Sequence, residues 1–292
     1  MTLLYDWLIA PFAEFSFMRR ALVACLALGL SSAPVGVLLV LRRMSLVGDA
    51  MAHALLPGAA LGFIAAGFSL YAMGIGGFIA AMLVTTLAGW VTRTTGQRED
   101  ASFAAFYLIA LAAGVMLISL RGNSVDLMHV LFGTILAVDN EALILMTGAS
   151  SITLVALALM YRPLIVECFD SGFLRSVGGQ GGLMHVLFQM LVVLNLVSGF
   201  QALGTLMAVG LMMLPAATAR FWATQVASLF VVAASLAVAS GIAGLLISYH
   251  AQLPSGPAIV LVAGSAYLAS LLLGRRDSVL QFLLKKQSHR VA

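Results

Sequence analysis

The chain has 292 residues, of which 62% are hydrophobic and 9% charged, and its mean hydropathy is +1.08. Soluble globular domains carry about a quarter charged residues, so this composition excludes an ordinary water-soluble fold. Fifteen Lys and Arg against eleven acids give a formal net charge of +4, and in so apolar a chain the partner of that charge is an anionic lipid surface rather than nucleic acid.

Residues 1–18, "MTLLYDWLIAPFAEFSFM", contain Asp6 and Glu14 and are too short and polar to span. They lack the basic start and small-residue cleavage site of a signal peptide, which predicts an interfacial amphipathic segment. Apolar runs then predict nine spans at about 20–41, 49–66, 70–91, 102–120, 140–161, 183–200, 203–219, 222–248 and 257–273, since about 18–20 apolar residues cross a bilayer as a helix. The expected fold is all-α, a polytopic membrane protein of 8–9 transmembrane helices forming one transmembrane domain over 1–292. The second and seventh spans are short and carry Pro57 and Pro215. Helix breaks at membrane depth are tolerated where protein or a watery cavity satisfies the freed backbone, so both are expected to face a pathway or protein.

The second span opens with "SLVGDAMAHALLPG", residues 45–58. Asp49 is the acid placed most clearly inside a span, and His53 lies four residues on, hence on the same helical face. An ionisable group within a bilayer is costly unless paired or hydrated, and is a functional candidate for that reason. Oxygen and nitrogen donors together suit borderline divalent ions, although two ligands leave the coordination shell incomplete. The alternative is that Asp49 caps a helix beginning at Ala50 with His53 a satisfied interior histidine. Spacing alone leaves both open.

Further along, "LRGNSVDLMHVLFGTILAVDNEAL" (120–143) holds an apolar run too short to cross, with Asp126, His129, Asp139 and Glu141 around it. These are either a cation funnel at the outer mouth or solvated loop charges. The segment "YRPLIVECFDSGFLRSVGGQGG" (161–182) mixes apolar and charged residues and ends in glycines, unlike a uniformly polar linker. Within it Phe169, Phe173 and Val177 share one face of a short amphipathic helix. That helix either docks in a groove of a soluble partner or rests on lipid. Gln189 and Asn195 in the sixth span read as interhelical hydrogen-bond partners, and His185 and His250, near the two ends of their spans, as structural residues. A basic tail occupies 274–292.

Alternating the nine spans leaves Arg19, Arg20 and Arg121 on one side and the other twelve basic residues on the opposite one. The positive-inside rule then makes the C-terminus cytoplasmic and the N-terminus extracytoplasmic. The two cysteines, Cys25 and Cys168, define no disulfide framework. No G-x-x-x-x-G-K-[ST] phosphate loop, H-E-x-x-H or G-x-S-x-G element occurs, so nothing in the chain reads as catalytic.

Six stretches in order, "LRRMSLVGDAMAHALLPGAALGF" (41–63), "REDASFAAFY" (98–107), "LFGTILAVD" (131–139), "FDSGFLRSVG" (169–178), "GTLMAVGLMMLPAATAR" (204–220) and "LPSGPAIVLVAG" (253–264), resemble the permease subunits of bacterial zinc/manganese ATP-binding-cassette importers. They extend over nearly the whole chain, and the first and fifth are the most specific. The resemblance implies a multi-pass protein of the bacterial inner membrane that works as a homodimer. Its partners would be a cytoplasmic ATPase subunit, which carries out the hydrolysis, and an extracytoplasmic metal-binding protein. It implies no permanently bound cofactor, only a transported divalent metal, Zn2+ or Mn2+.

By the same resemblance Asp49 and His53 match pathway metal-coordination positions. "FDSGFLRSVG" matches the ATPase-coupling segment, with Phe169, Asp170, Phe173, Leu174, Arg175 and Gly178 as its residues. Asp126, His129 and His250 remain further candidates along the metal path. Metal binds the carboxylate and the neutral imidazole only, so uptake is expected to weaken on acidification. The competing expectations are a permease for a metal chelate or corrinoid, an ATP-independent metal or proton carrier, and a non-transporting scaffold.

Overall fold

The computed structural model describes residues 5, 7–119, 138–169, 181–276 and 278–281. Among them every regular element is helical: α1 (Ala10–Glu14), α2 (Ser16–Leu41), α3 (Ser45–Ala54), α4 (Leu56–Ala66), α5 (Leu70–Thr95), α6 (Glu99–Ser119), α7 (Asn140–Phe169), α8 (Gly181–Leu203), α9 (Thr205–Ala219), α10 (Val226–Ala251) and α11 (Ser255–Leu273). Only helices satisfy all their backbone groups within one segment in lipid, and the near-continuous apolar sequence leaves little else. Eight stretches, with α3 and α4 counted as one, are long and apolar enough to cross a membrane, and α9 is a shorter apolar helix. The expected all-α polytopic fold is therefore present.

The bundle is built around α2, which packs on α9, α10, α7 and α8 and is buried along most of its length. A second group, α3 to α6, closes on itself and meets α8. Large apolar side chains such as Ile75, Trp90, Ile109, Ile144, Leu159, Val231 and Leu261 point outward, the inverse of a soluble protein and the face a lipid solvent requires. Polar side chains staple the interior instead. Ser31 of α2 donates to Asn195 Oδ1 at 2.8 Å and lies 3.1 Å from Ser150 Oγ, while Asn195 Nδ2 donates to Thr153 Oγ1 at 2.8 Å. These four buried residues tie α2, α7 and α8 together, the interhelical role expected of Asn195.

The helix termini depart from the sequence expectation in instructive ways. Pro57 has no N–H for the carbonyl of His53 four residues back, and the second span divides at Leu55 into α3 and α4. Pro215, by contrast, does not break the seventh span: α9 runs unbroken through it. Its shortness comes from Gly204, whose φ of 86° and ψ of 161° suit glycine alone and turn the chain straight from α8 back into α9. Pro163 is likewise accommodated, so α7 continues to Phe169, well past the expected end at 161. Residues 162–169 of the expected cytoplasmic loop are thus the last turns of α7, and 181–182 open α8.

Close helix approaches occur at glycines, which let backbones meet. A Cβ on Gly58 would run into the carbonyl oxygen of Gly76, and one on Gly76 into that of Gly58. Gly62 faces Ala72 and Met73 on the same α4–α5 seam. Gly241 and Gly244 of α10 press on Cys25 and Ile259.

Candidate metal-pathway site

The loop after α2 turns sharply, with Arg43 at φ 60°, and α3 starts at Ser45 behind Met44, whose side chain makes no capping bond. Asp49 therefore sits one turn inside a helix already under way, and the reading of Asp49 as an N-cap falls. Asp49 and His53 lie on one face of α3, with His53 Nε2 3.8 Å from Asp49 Oδ1. The side chains retain 59% and 36% of their exposure respectively, so the pair looks away from the core onto an open surface. Tyr107 of α6 stacks beside the His53 ring, centroids 6.2 Å apart and planes 27° apart.

A cavity of about 120 Å³ opens between α3 and α6, walled by Leu46, Val47, Asp49, Ala50, Asp100, Phe103, Ala104 and Tyr107. Asp100 was expected in the loop before a span beginning at 102. The structure begins α6 at Glu99, which brings the Asp100 carboxylate to the same cavity as Asp49. A third ionisable donor thus joins the neighbourhood, although no cluster of three His, Cys, Asp or Glu with metal-binding geometry forms among the described residues.

The remaining candidates separate from this site. Asp126 and His129 lie outside the described residues, as do Asp170, Phe173, Leu174, Arg175 and Gly178 of the expected coupling segment. Phe169 is the last residue of α7 and is exposed. Asp139 accepts the Ala142 N–H at 2.7 Å and Glu141 lies in the first turn of α7, so both serve that helix start. His250 ends α10, with Nε2 3.0 Å from the Trp7 carbonyl and its ring stacked on Trp7 at 4.3 Å. It fastens the N-terminal segment and is not brought to Asp49 and His53.

Sequence reading also missed a buried ionic cluster. Arg42, just after α2, meets Glu167 Oε2 of α7 at 2.9 Å and approaches Cys168 Sγ at 3.1 Å and His185 Nδ1 at 3.3 Å. Its guanidinium stacks 4.4 Å from the Phe188 ring centre. His185 is structural here, as expected of it.

A bundle with eight stretches long and apolar enough to cross a membrane, carrying an Asp–His pair and a further carboxylate on an open surface, belongs to the class of polytopic membrane proteins. Comparison narrows the class: the chain matches the ABC 3 transport family over residues 14–274 and belongs to it. It is 34% identical over 264 residues to the manganese import system permease protein ScaB of Streptococcus parasanguinis, covering 90% of this chain and 93% of that one. It is 31% identical over 281 residues to the manganese transport system membrane protein MntC of Halalkalibacterium halodurans, covering 96% and 94%. Among solved structures it is similar to a chain of PsaBC from Streptococcus pneumoniae in complex with Fab, with a TM-score of 0.84, 29% identity and coverage of 97% and 99%.

Proposed function

We propose that the chain is the permease subunit of an ATP-binding-cassette importer that carries a divalent transition metal into the cytoplasm, with Mn2+ as the first cargo to test and Zn2+ and Fe2+ as its competitors. Family membership and the manganese permeases it resembles over nearly their full length support the class. The single observation that carries the site is the Asp49–His53 pair on one open face of α3, with Asp100 across the same cavity. Two carboxylates and one imidazole favour a hard-to-borderline ion such as Mn2+ over a soft one. A shell left open by one chain also suits a site that must release its ion.

In this reading ATP is hydrolysed on a separate cytoplasmic subunit, and 170–180, continuing from the exposed Phe169, couples that subunit to the bundle through Asp170, Phe173, Leu174, Arg175 and Gly178. A second copy of the chain faces the open surface at Asp49, and an extracytoplasmic protein delivers the metal. The test is uptake of each metal in turn by proteoliposomes holding the full complex. Mn2+ accumulation that requires ATP, and that is lost in the Asp49→Ala, His53→Ala double variant at normal expression, is the expected result. Unchanged uptake in that variant would sink the assignment of the site.

A further inference from the structure

The ends of α2, α9, α10 and α11 enclose a second cavity, of about 420 Å³, at the arginine-rich face of the bundle. Arg220 and Arg276 both line it, together with Thr224, Tyr267, Val40 and Leu41. Among the described residues no carboxylate pairs with either guanidinium. Two like charges gathered at one cavity repel unless an anion sits between them, and the described lining supplies no such counter-charge.

Three neighbours say what kind of anion fits. Trp222, adjacent to the cavity, is partly exposed and donates its indole N–H to Ser270 Oγ at 2.9 Å, the half-wet, half-apolar setting of a tryptophan at a membrane interface. Leu261, Leu268 and Leu272 stand exposed along α11 at spacings of seven and four, one lipid-facing stripe that leads to the Arg276 end of the helix. The Arg276 N–H donates to the Phe221 carbonyl at 3.1 Å, and Tyr267 packs edge-on against Phe221 at 5.8 Å, so the walls are pinned to each other before any ligand arrives.

We propose that this cavity seats the headgroup of an anionic phospholipid, its phosphate between Arg220 and Arg276 and its acyl chains along Leu268 and Leu272. A basic pocket between helix ends at a membrane surface has the charge and shape for such a headgroup, and the unpaired arginines are the complementarity that selects an acidic lipid over a zwitterionic one. The site lies apart from Asp49 and His53 and does not depend on which metal is carried.

The chain purified in mild detergent is exchanged into mixed phosphatidylglycerol and phosphatidylethanolamine, and retained lipid is counted by native mass spectrometry. The wild type should keep phosphatidylglycerol preferentially. The R220Q/R276Q variant, whose changed side chains are exposed, should lose about tenfold of that retention with helical content unchanged. Thr224→Phe, which fills the cavity and leaves both charges, should lose it too, whereas R220K/R276K should keep most of it. Three outcomes overturn the proposal: equal retention of the two lipids by the wild type, unchanged retention in R220Q/R276Q, or displacement of the lipid by millimolar inorganic phosphate alone, which would make the cavity a free-anion site.

Discussion

Arg42 and Glu167 meet at 2.9 Å with side chains only 8% and 7% exposed, although 125 residues separate them in the chain. Arg42 is three residues ahead of α3, which carries Asp49 and His53, and Glu167 is two residues from the end of α7. The pair therefore clasps the root of the candidate metal helix to the helix that leads into 170–180. Glu167 also lies 3.8 Å from His185 Nδ1, yet breaking a buried pair by removing one partner costs about 3–5 kcal/mol, whereas replacing both by apolar groups of similar size is often neutral. Arg42→Met should thus lower the unfolding midpoint in detergent steeply, and Arg42→Met with Glu167→Met should recover much of the loss. Additive losses in that double-mutant cycle would show that the two residues do not act as a pair.

Asp100 makes a separate prediction. Its carboxylate lines the cavity beside Asp49 at the exposed start of α6, so Asp100→Asn should leave folding intact. If the residue supports the ion, metal uptake falls by about tenfold or more, the scale seen when a supporting group near a metal is removed. Ser228→Ala, on an exposed hydroxyl of α10 that bonds only its own helix start, is the control and should transport normally.

Acidification should weaken uptake and leave the fold in place. Metal binding needs a carboxylate and a neutral imidazole, and protons compete for both. Lowering the external pH from about 7.5 to about 5.5, where histidines take up a proton, should raise the metal concentration for half-maximal uptake. His53→Gln, which removes the imidazole but keeps a polar group, should transport weakly, and uptake equal to the wild type would show that His53 does not hold the ion.

The Ser31–Asn195–Thr153 network sets a fourth expectation. Asn195 accepts from Ser31 and donates to Thr153 and to the Leu191 carbonyl, all buried. Asn195→Leu should cost about 1–2 kcal/mol, the range found for interhelical hydrogen bonds in membranes, read by denaturation in mixed micelles. A cost near zero would mean that the hydroxyls find other partners when the amide is gone.

Much of this was legible in the sequence because lipid imposes so narrow a choice. Apolar run length located the spans, and the i, i+4 rule put Asp49 and His53 on one face. Other features were hidden for definite reasons. Asp100 follows "RTTGQRE" and reads as one more loop charge, and only packing of α6 on α3 shows that its helix starts early enough to turn it toward Asp49. Arg42 and Glu167 look like ordinary charges at membrane boundaries, because nothing local announces a pairing across the bundle. Pro163 and Pro215 are breakers by rule, yet α7 and α9 run unbroken through them, while Pro57 does divide its span.

The seam between Gly58 and Gly76 has a mechanical meaning. Where backbone rests on backbone there is no side chain to slide or repack, so α4 and α5 behave as one post. α3 runs into that post at Leu55 and packs on α5 and α6 as well, while the proline ring two residues on withholds one backbone hydrogen bond at the joint. Asp49 and His53 thus ride on a ten-residue helix that abuts this post at one end and is clasped through Arg42 just ahead of the other, so the backbone break at Pro57 falls between the candidate pair and the rigid seam.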